Sequence, residues 1–120
     1  SSDVCSSDLL LEIIDSGDVS LLIQATSPEM LKQQFIPGAF HVKSKTLIDP
    51  PLLHYVLFQR KVDMFHYLLV SNFDKNVRCS DWTPLHLATY LGLKEFVDML
   101  IFFGASLNEE DNYGIYLIFF

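Results

Sequence analysis

The four histidines are the residues of this sequence best suited to bind a metal ion or to act as a general base. They are His41, His54, His66 and His86. Zinc ligands usually recur at intervals of about two to five residues, and no two of these histidines are that close. No cysteine or carboxylate cluster accompanies any of them at such an interval. The spacing therefore predicts no metal site.

Paired carboxylates could hold calcium or transfer protons, and two groups of acids come into question. Asp15 and Asp18 flank Gly17, and residues 109–111 read Glu-Glu-Asp. The alternating spacing of a calcium loop is missing from both, which favours solvated acidic turns. The sequence also lacks a Gly-x-Ser-x-Gly nucleophile motif and a phosphate-binding Gly-x-x-x-x-Gly-Lys loop. We expect no catalytic residue and no cofactor, so the chain is predicted not to be an enzyme.

Charge and composition exclude several classes of partner. The 120 residues are 50% hydrophobic and carry 8 basic and 15 acidic side chains, a formal charge of −7. No stretch gathers the basic patch that nucleic acid requires. The longest nearly unbroken apolar run, 99–107, is far below the ~18 residues of a membrane span. Cys5 and Cys79 form neither a disulfide framework nor a metal motif, which favours a reducing, cytoplasmic location.

The elements that must position these residues come from an internal repeat. A shift of thirty-two positions pairs Leu53 with Leu85 and His54 with His86. In each copy, apolar residues fall at helical intervals in two short bursts separated by turn residues. The repeat predicts two antiparallel helix pairs, near residues 51–70 and 83–103, and an all-α fold without a central sheet.

The second copy carries a dense set of motif residues. In chain order they are Thr83, Pro84, Leu85, His86, Ala88, Gly92, Gly104 and Asn108. This set resembles the ankyrin repeat, whose pattern is Thr-Pro-Leu-His-x-Ala, a glycine, a second helix, Gly-Ala and Asn. The resemblance implies an all-α solenoid of helix-turn-helix units. It also implies that the repeat histidine bonds to backbone near the next hairpin.

The first copy departs from this pattern. Pro51 and Leu52 stand in place of Thr-Pro, Val56 in place of the alanine, and Arg60 and Asn72 in place of the two glycines. Asparagine is the next-best residue after glycine for a left-handed helix cap, whereas arginine is not. We therefore predict a degenerate repeat with a strained turn at Arg60.

The predicted organisation has three parts. Residues 1–8 resemble translated sequencing-adapter DNA and are set apart as a tail. Residues 9–114 form the ankyrin region, with repeats at about 9–41, 49–80 and 81–113. A helix is expected from Pro28 to about Phe35, and a long loop from His41 to Asp49 is expected to lead into the second repeat. Residues 115–120 begin a further repeat that is cut short.

The resemblance implies that hairpin tips and the exposed face of each first helix bind another protein. The residues at those positions are Phe58, Gln59, Cys79, Ser80, Trp82, Tyr90, Leu91, Asn112 and Tyr113. Their aromatic rings would line one concave surface that binds the partner. In the alternative interpretation, the rings only pack between neighbouring repeats. The predicted function is a protein-binding scaffold or adaptor module. The alternative is a regulatory ankyrin segment of a larger enzyme or ion channel.

Overall fold

A computed structural model of the chain describes residues 7–25, 27–32, 35–42, 45–80 and 82–104. Seven helices and one β-hairpin make up this part of the chain. In order they are α1 Ser7–Ser16, α2 Val19–Ala25, α3 Pro28–Leu31, β1 Ala39–Val42, β2 Lys45–Ile48, α4 Leu52–Phe58, α5 Val62–Val70, α6 Pro84–Leu91 and α7 Lys94–Phe102.

The two predicted helix pairs are present as α4–α5 and α6–α7. Helix α6 packs on α4, while α7 packs on α5 and α5 on α2, so that first and second helices form separate layers. The layers bury a continuous apolar core that includes Leu53, Leu85 and Leu100. Across it, the rings of Phe65 and Phe96 meet edge to face at 5.0 Å. Each pair is stabilised by burying its apolar face against its neighbours.

Helix α6 begins with the cap that the motif predicts. Thr83 is the N-cap, its hydroxyl accepts a hydrogen bond from the backbone N–H of His86 at 3.3 Å, and Pro84 occupies the first turn. The imidazole Nδ1 of His86 accepts the backbone N–H of Thr83 at 3.0 Å. This reciprocal arrangement satisfies two amides that the helix itself leaves open.

The turns that end the helices adopt left-handed backbone conformations in both pairs. Gly92 (φ 75°) and Gly104 (φ 96°) follow α6 and α7, and Arg60 (φ 61°) and Asn72 (φ 69°) stand at the equivalent positions after α4 and α5. Glycine adopts these angles without steric cost, whereas a residue with a Cβ does not. The prediction that Arg60 occupies a strained glycine position is confirmed.

The all-α prediction is only roughly right, because the expected loop from His41 to Asp49 contains an antiparallel hairpin. Strands β1 and β2 pair in the register Ala39 to Ile48 and Val42 to Lys45. Alternation explains the pairing: Val42 and Leu47 are buried, while their neighbours His41 and Ile48 are exposed.

Helix α3 is also shorter than predicted, ending at Leu31 instead of near Phe35. Phe35 pairs with Pro51 in an isolated β-bridge, and the N–H of Ile36 donates to the carbonyl of Pro50 at 2.9 Å. These extended contacts compete with continuation of the helix. Of the helices within the described ranges, none has the length and apolar character needed to cross a membrane.

Candidate functional site

Three aromatic rings meet where the β-hairpin lies against helix α4. The ring of Phe40 on β1 contacts Tyr55 at 5.4 Å and Phe58 at 6.0 Å, both edge to face. Tyr55 and Phe58 lie one helical turn apart, so they project from the same side of α4. We call these three residues the hairpin cluster. Tyr55 is almost fully buried, while Phe40 and Phe58 remain partly exposed.

A second pair of rings occupies the corresponding place one helix pair later. Trp82 and Tyr90 meet edge to face with centroids 4.7 Å apart, and both are partly buried. Trp82 closes the tight turn that begins at Cys79, where the two residues exchange backbone hydrogen bonds of 2.8 and 3.0 Å. Tyr90 lies near the end of α6. We call Trp82 and Tyr90 the turn cluster.

Side-chain contacts hold the hairpin and the turn side by side. The Ser80 hydroxyl donates to the carbonyl of Thr46 at 3.1 Å, and the Cys79 thiol lies 3.8 Å from the carbonyl of Ile48. Both acceptors belong to β2. Helices α4 and α6 also pack side by side, with Phe58 and Tyr90 near their C-terminal ends. The hairpin cluster and the turn cluster thus lie on adjoining elements, and we call the two clusters together the inner face.

A buried histidine connects the two helix pairs directly beneath the inner face. The imidazole Nε2 of His54 donates to the carbonyl of Trp82 at 2.9 Å, which confirms the predicted bond between the repeat histidine and the next hairpin. Burial lowers the pKa of His54 to about 4, although the hydrogen bond to Trp82 acts in the opposite direction. His54 is therefore neutral at pH 7 and serves as a structural donor.

The other ring nitrogen of His54 has lost the partner that His86 retains. Its Nδ1 is buried without a hydrogen bond in the described part of the chain. The corresponding atom of His86 accepts the backbone N–H of Thr83. At the position of that threonine the first copy has Pro51, which carries neither an N–H nor a hydroxyl.

A polar edge borders the hairpin cluster on the side of helix α1. The pKa of Tyr55 is raised, first by burial and then by the negative charge of Asp15, while a side-chain hydrogen bond from Gln59 partly opposes the shift. Lys61 donates from Nζ to the backbone carbonyl of Asp15 at 3.1 Å and so ties α1 to the turn after α4. The aromatic surface thus ends at ordered polar groups.

Three of the predicted partner-binding residues, Phe58, Trp82 and Tyr90, belong to the inner face and are partly buried. Gln59 and Leu91, which follow Phe58 and Tyr90 in the chain, are also partly buried, and Ser80 is exposed. Cys79 is buried, with its thiol directed at Ile48, so it supports the turn and offers almost no surface. The other two predicted partner-binding residues, Asn112 and Tyr113, and the motif residue Asn108 lie outside the described residues.

Two residues of the inner face, Phe40 and Tyr55, are not among the residues predicted from the sequence. Phe40 lies between the helix predicted to end near Phe35 and the loop predicted to begin at His41. The alternation from Phe40 to Val42 was the available signal for a strand. Tyr55 precedes Phe58 by three residues on a predicted helix, so the helical period alone would have placed the two rings on one side.

Comparison with known proteins agrees with this architecture. The family profile described as ankyrin repeats (3 copies) matches residues 19–111. Glycerophosphocholine phosphodiesterase gde1 of Schizosaccharomyces pombe is 30% identical over 100 residues, which cover 82% of this chain and 8% of that protein. The chain thus spans less than a tenth of this relative's length. No solved structure matches significantly. Because the profile covers most of the chain and the helix pairs carry its motif residues, the chain belongs to the ankyrin-repeat family.

Proposed function

We propose that the inner face is the binding surface for a partner protein and that the chain acts as a scaffold or adaptor module. The observation that carries this proposal is the pairing of two partly exposed aromatic clusters on one surface. Ankyrin repeats are in general protein-interaction modules. Tryptophan and tyrosine are the residue types most enriched at interface hot spots, where truncation costs at least ~2 kcal/mol.

The ordering of these rings supports the same proposal. Phe40, Trp82 and Tyr90 are each held by edge-to-face contact and by a hairpin, a turn or a helix that is tied to its neighbours. A surface whose side chains are already fixed loses little entropy on association. The inner face would bind as a rigid concave platform, with the aromatic rings as anchors.

The histidines that could serve as catalytic bases have structural contacts instead. His54 holds the backbone of Trp82, and His86 caps its own helix. His41 is bonded through Nδ1 to the Thr46 hydroxyl at 3.1 Å, and His66 stacks edge to face on Phe103 at 5.7 Å. These roles favour a non-catalytic module in place of an enzyme in its own right.

The experiment that tests the proposal compares variants on the inner face and on the second-helix layer. Phe58→Ala and a Trp82→Ala/Tyr90→Ala double variant remove inner-face rings, while Phe102→Ala removes a ring of α7 that is 83% exposed. Each protein is used to capture partners from an extract of the cells that make it, with quantitative mass spectrometry as the readout. A protein retained by wild type and by Phe102→Ala but lost by the inner-face variants is the expected result. Equal capture by all four proteins would place binding elsewhere.

A second candidate function is a regulatory segment within a larger enzyme. The similarity to a phosphodiesterase in S. pombe, of which the matched region is only 8%, favours this candidate. In that case the inner face would bind another domain of the same polypeptide. A transcript that continues into a catalytic or channel domain would identify this arrangement, whereas further repeats would favour the scaffold.

The finer organisation and the location belong to the same proposal. We infer repeats at about 9–41, 49–80 and 81–113, with residues 115–120, outside the described residues, as the start of another. The two cysteines are unsuited by spacing to a disulfide framework, and this supports a cytoplasmic site of action. Localisation of the tagged full-length protein tests that inference.

A further inference from the structure

The edge of the β-hairpin opposite the turn cluster is formed by strand β1. Antiparallel pairs alternate between residues whose peptide groups face the partner strand and residues whose peptide groups face away. The N–H of Asp49 donates to the carbonyl of Gly38 at 2.8 Å, so Gly38 and every second residue after it direct their peptide groups toward β2. With the observed register, Phe40 and Val42 bond to β2, while Ala39 and His41 direct their peptide groups away from it.

Contacts of β2 independently confirm which peptide groups of the hairpin face outward. Thr46 and Ile48, the partners of His41 and Ala39, direct their carbonyls away from β1, where the Ser80 hydroxyl and the Cys79 thiol reach them. The outer edge of β2 is thus covered by the next repeat. Over the residues that the structure describes, no hydrogen bond reaches the outward peptide groups of Ala39 and His41, and both residues are exposed.

We propose that β1 accepts an extended segment of the partner protein as a third strand, with one apolar side chain of that segment seated against Phe40. This inference rests on the proposed function, because it assigns the form in which the partner meets the inner face. An unpaired strand edge offers donors and acceptors to any extended chain. We choose a partner segment as the occupant because Phe40 and Phe58, which belong to the proposed binding surface, lie beside the open edge. A stable dimer of the chain in size-exclusion chromatography would overturn this choice in favour of a second copy.

The register specifies which partner side chain matters. A strand paired through Ala39 and His41 places one residue opposite Phe40 in a non-hydrogen-bonded position, where side chains on the same face approach within ~5 Å. That residue projects toward Phe40 and Phe58, while its two neighbours project to the opposite face of the hairpin. The preferred ligand is therefore an extended segment with one large apolar residue. The residues on either side of it can have most side chains but not proline, which lacks the N–H.

The test uses random peptides displayed on phage as the probe and the whole chain as the target. Enriched peptides are synthesised, and their binding is measured by fluorescence anisotropy to wild type, His41→Pro and His41→Thr. Proline removes the outward N–H and is tolerated on an edge strand, whereas threonine keeps the N–H and removes the same imidazole. Thermal melting followed by circular dichroism checks that each variant is folded.

The expected result is a loss of at least about tenfold in affinity for His41→Pro, since at least one backbone hydrogen bond and the strand contact disappear. His41→Thr should stay close to wild type. As a second measurement that does not depend on folding of the variant, N-methylation of the peptide residue next to the apolar anchor should also weaken binding to the unchanged protein. Phe58→Ala should weaken binding of every peptide.

The outcomes separate the two proposals. If Phe58→Ala weakens binding but neither His41→Pro nor N-methylation does, strand addition is wrong and the inner face remains the binding surface. If none of these changes matters, the peptides bind elsewhere and both proposals fail for them. Failure to enrich any peptide, or enrichment of peptides with no apolar anchor, also overturns the strand-addition proposal.

Discussion

Helix pairs α4–α5 and α6–α7 adopt the same local geometry with different residues at the positions that control it. The N-caps Pro51 (φ −61°, ψ 161°) and Thr83 (φ −81°, ψ 167°) have nearly the same backbone, yet only Thr83 makes side-chain cap bonds. Arg60 and Gly92 likewise share a left-handed turn. Burial of the shared apolar positions is therefore strong enough to impose the repeat on a sequence whose caps and turns are suboptimal.

The shared core gives the largest expected effect. Leu53 and Leu85 occupy equivalent positions and are 1% and 0% exposed. Replacing either leucine by alanine should lower the free energy of unfolding by ~2 to 5 kcal/mol, because the lost burial and the cavity left behind both count. Urea denaturation measures the change. If Leu85→Ala alone were costly, the first pair would contribute little to the core and the two pairs would not be equivalent.

The burial of His54 makes the stability of the folded chain depend on pH. The pKa of His54 is about 4 in the folded chain and 6.5 in the unfolded chain, so the unfolded state binds the extra proton as the pH falls. Stability is full above pH 6.5 and should decline by roughly 3 kcal/mol as the pH approaches 4. Urea denaturation from pH 7 to pH 4 follows this loss. His54→Asn, which cannot titrate there, should flatten the profile, and an unchanged slope would contradict the assignment.

The caps can be exchanged between the pairs. Thr83→Pro removes a hydroxyl and an N–H that cap α6, and it should cost ~1 to 2 kcal/mol. Pro51→Thr supplies both groups to α4 and to His54, and it should stabilise the chain by up to about 1 kcal/mol, less the unfolded-state entropy that proline restricts. Thermal melting compares the two. Shifts of opposite sign would show that the hydroxyl and the N–H act alike in both caps, whereas destabilisation by Pro51→Thr would show that the first cap has adapted to proline.

The turns give the smallest effect. Arg60→Gly should stabilise the chain by about 0.5 to 1 kcal/mol, because a left-handed residue with a Cβ is strained and glycine is not. Asn72→Gly is the matched control, with a smaller gain because asparagine tolerates this conformation. Melting temperatures of both variants decide the ranking. A larger gain at Asn72 would show that Arg60 is held by contacts beyond its backbone.

The helices of the second copy and the cap of α6 could be predicted from the sequence, because Thr83, Pro84 and His86 interact with one another within one helical turn. The bond from His54 to Trp82 followed from the family resemblance. The hairpin around Phe40 could not be predicted in this way, since it has no repeat counterpart. Its strands are defined by pairing across the turn and by contact with Ser80, which are interactions between distant parts of the chain. For the same reason, Phe40 was not among the predicted partner-binding residues.

Fluorescence of Trp82 shows whether a partner binds at the inner face, because this is the one tryptophan of the chain and it belongs to the inner face. A partner recovered with the wild-type protein is titrated into it while Trp82 emission and acrylamide quenching are recorded. Binding at the inner face predicts a blue shift of the emission and reduced quenching that saturate together with complex formation. Saturable binding that leaves both the emission and the quenching of Trp82 unchanged would contradict the inner face as the binding surface.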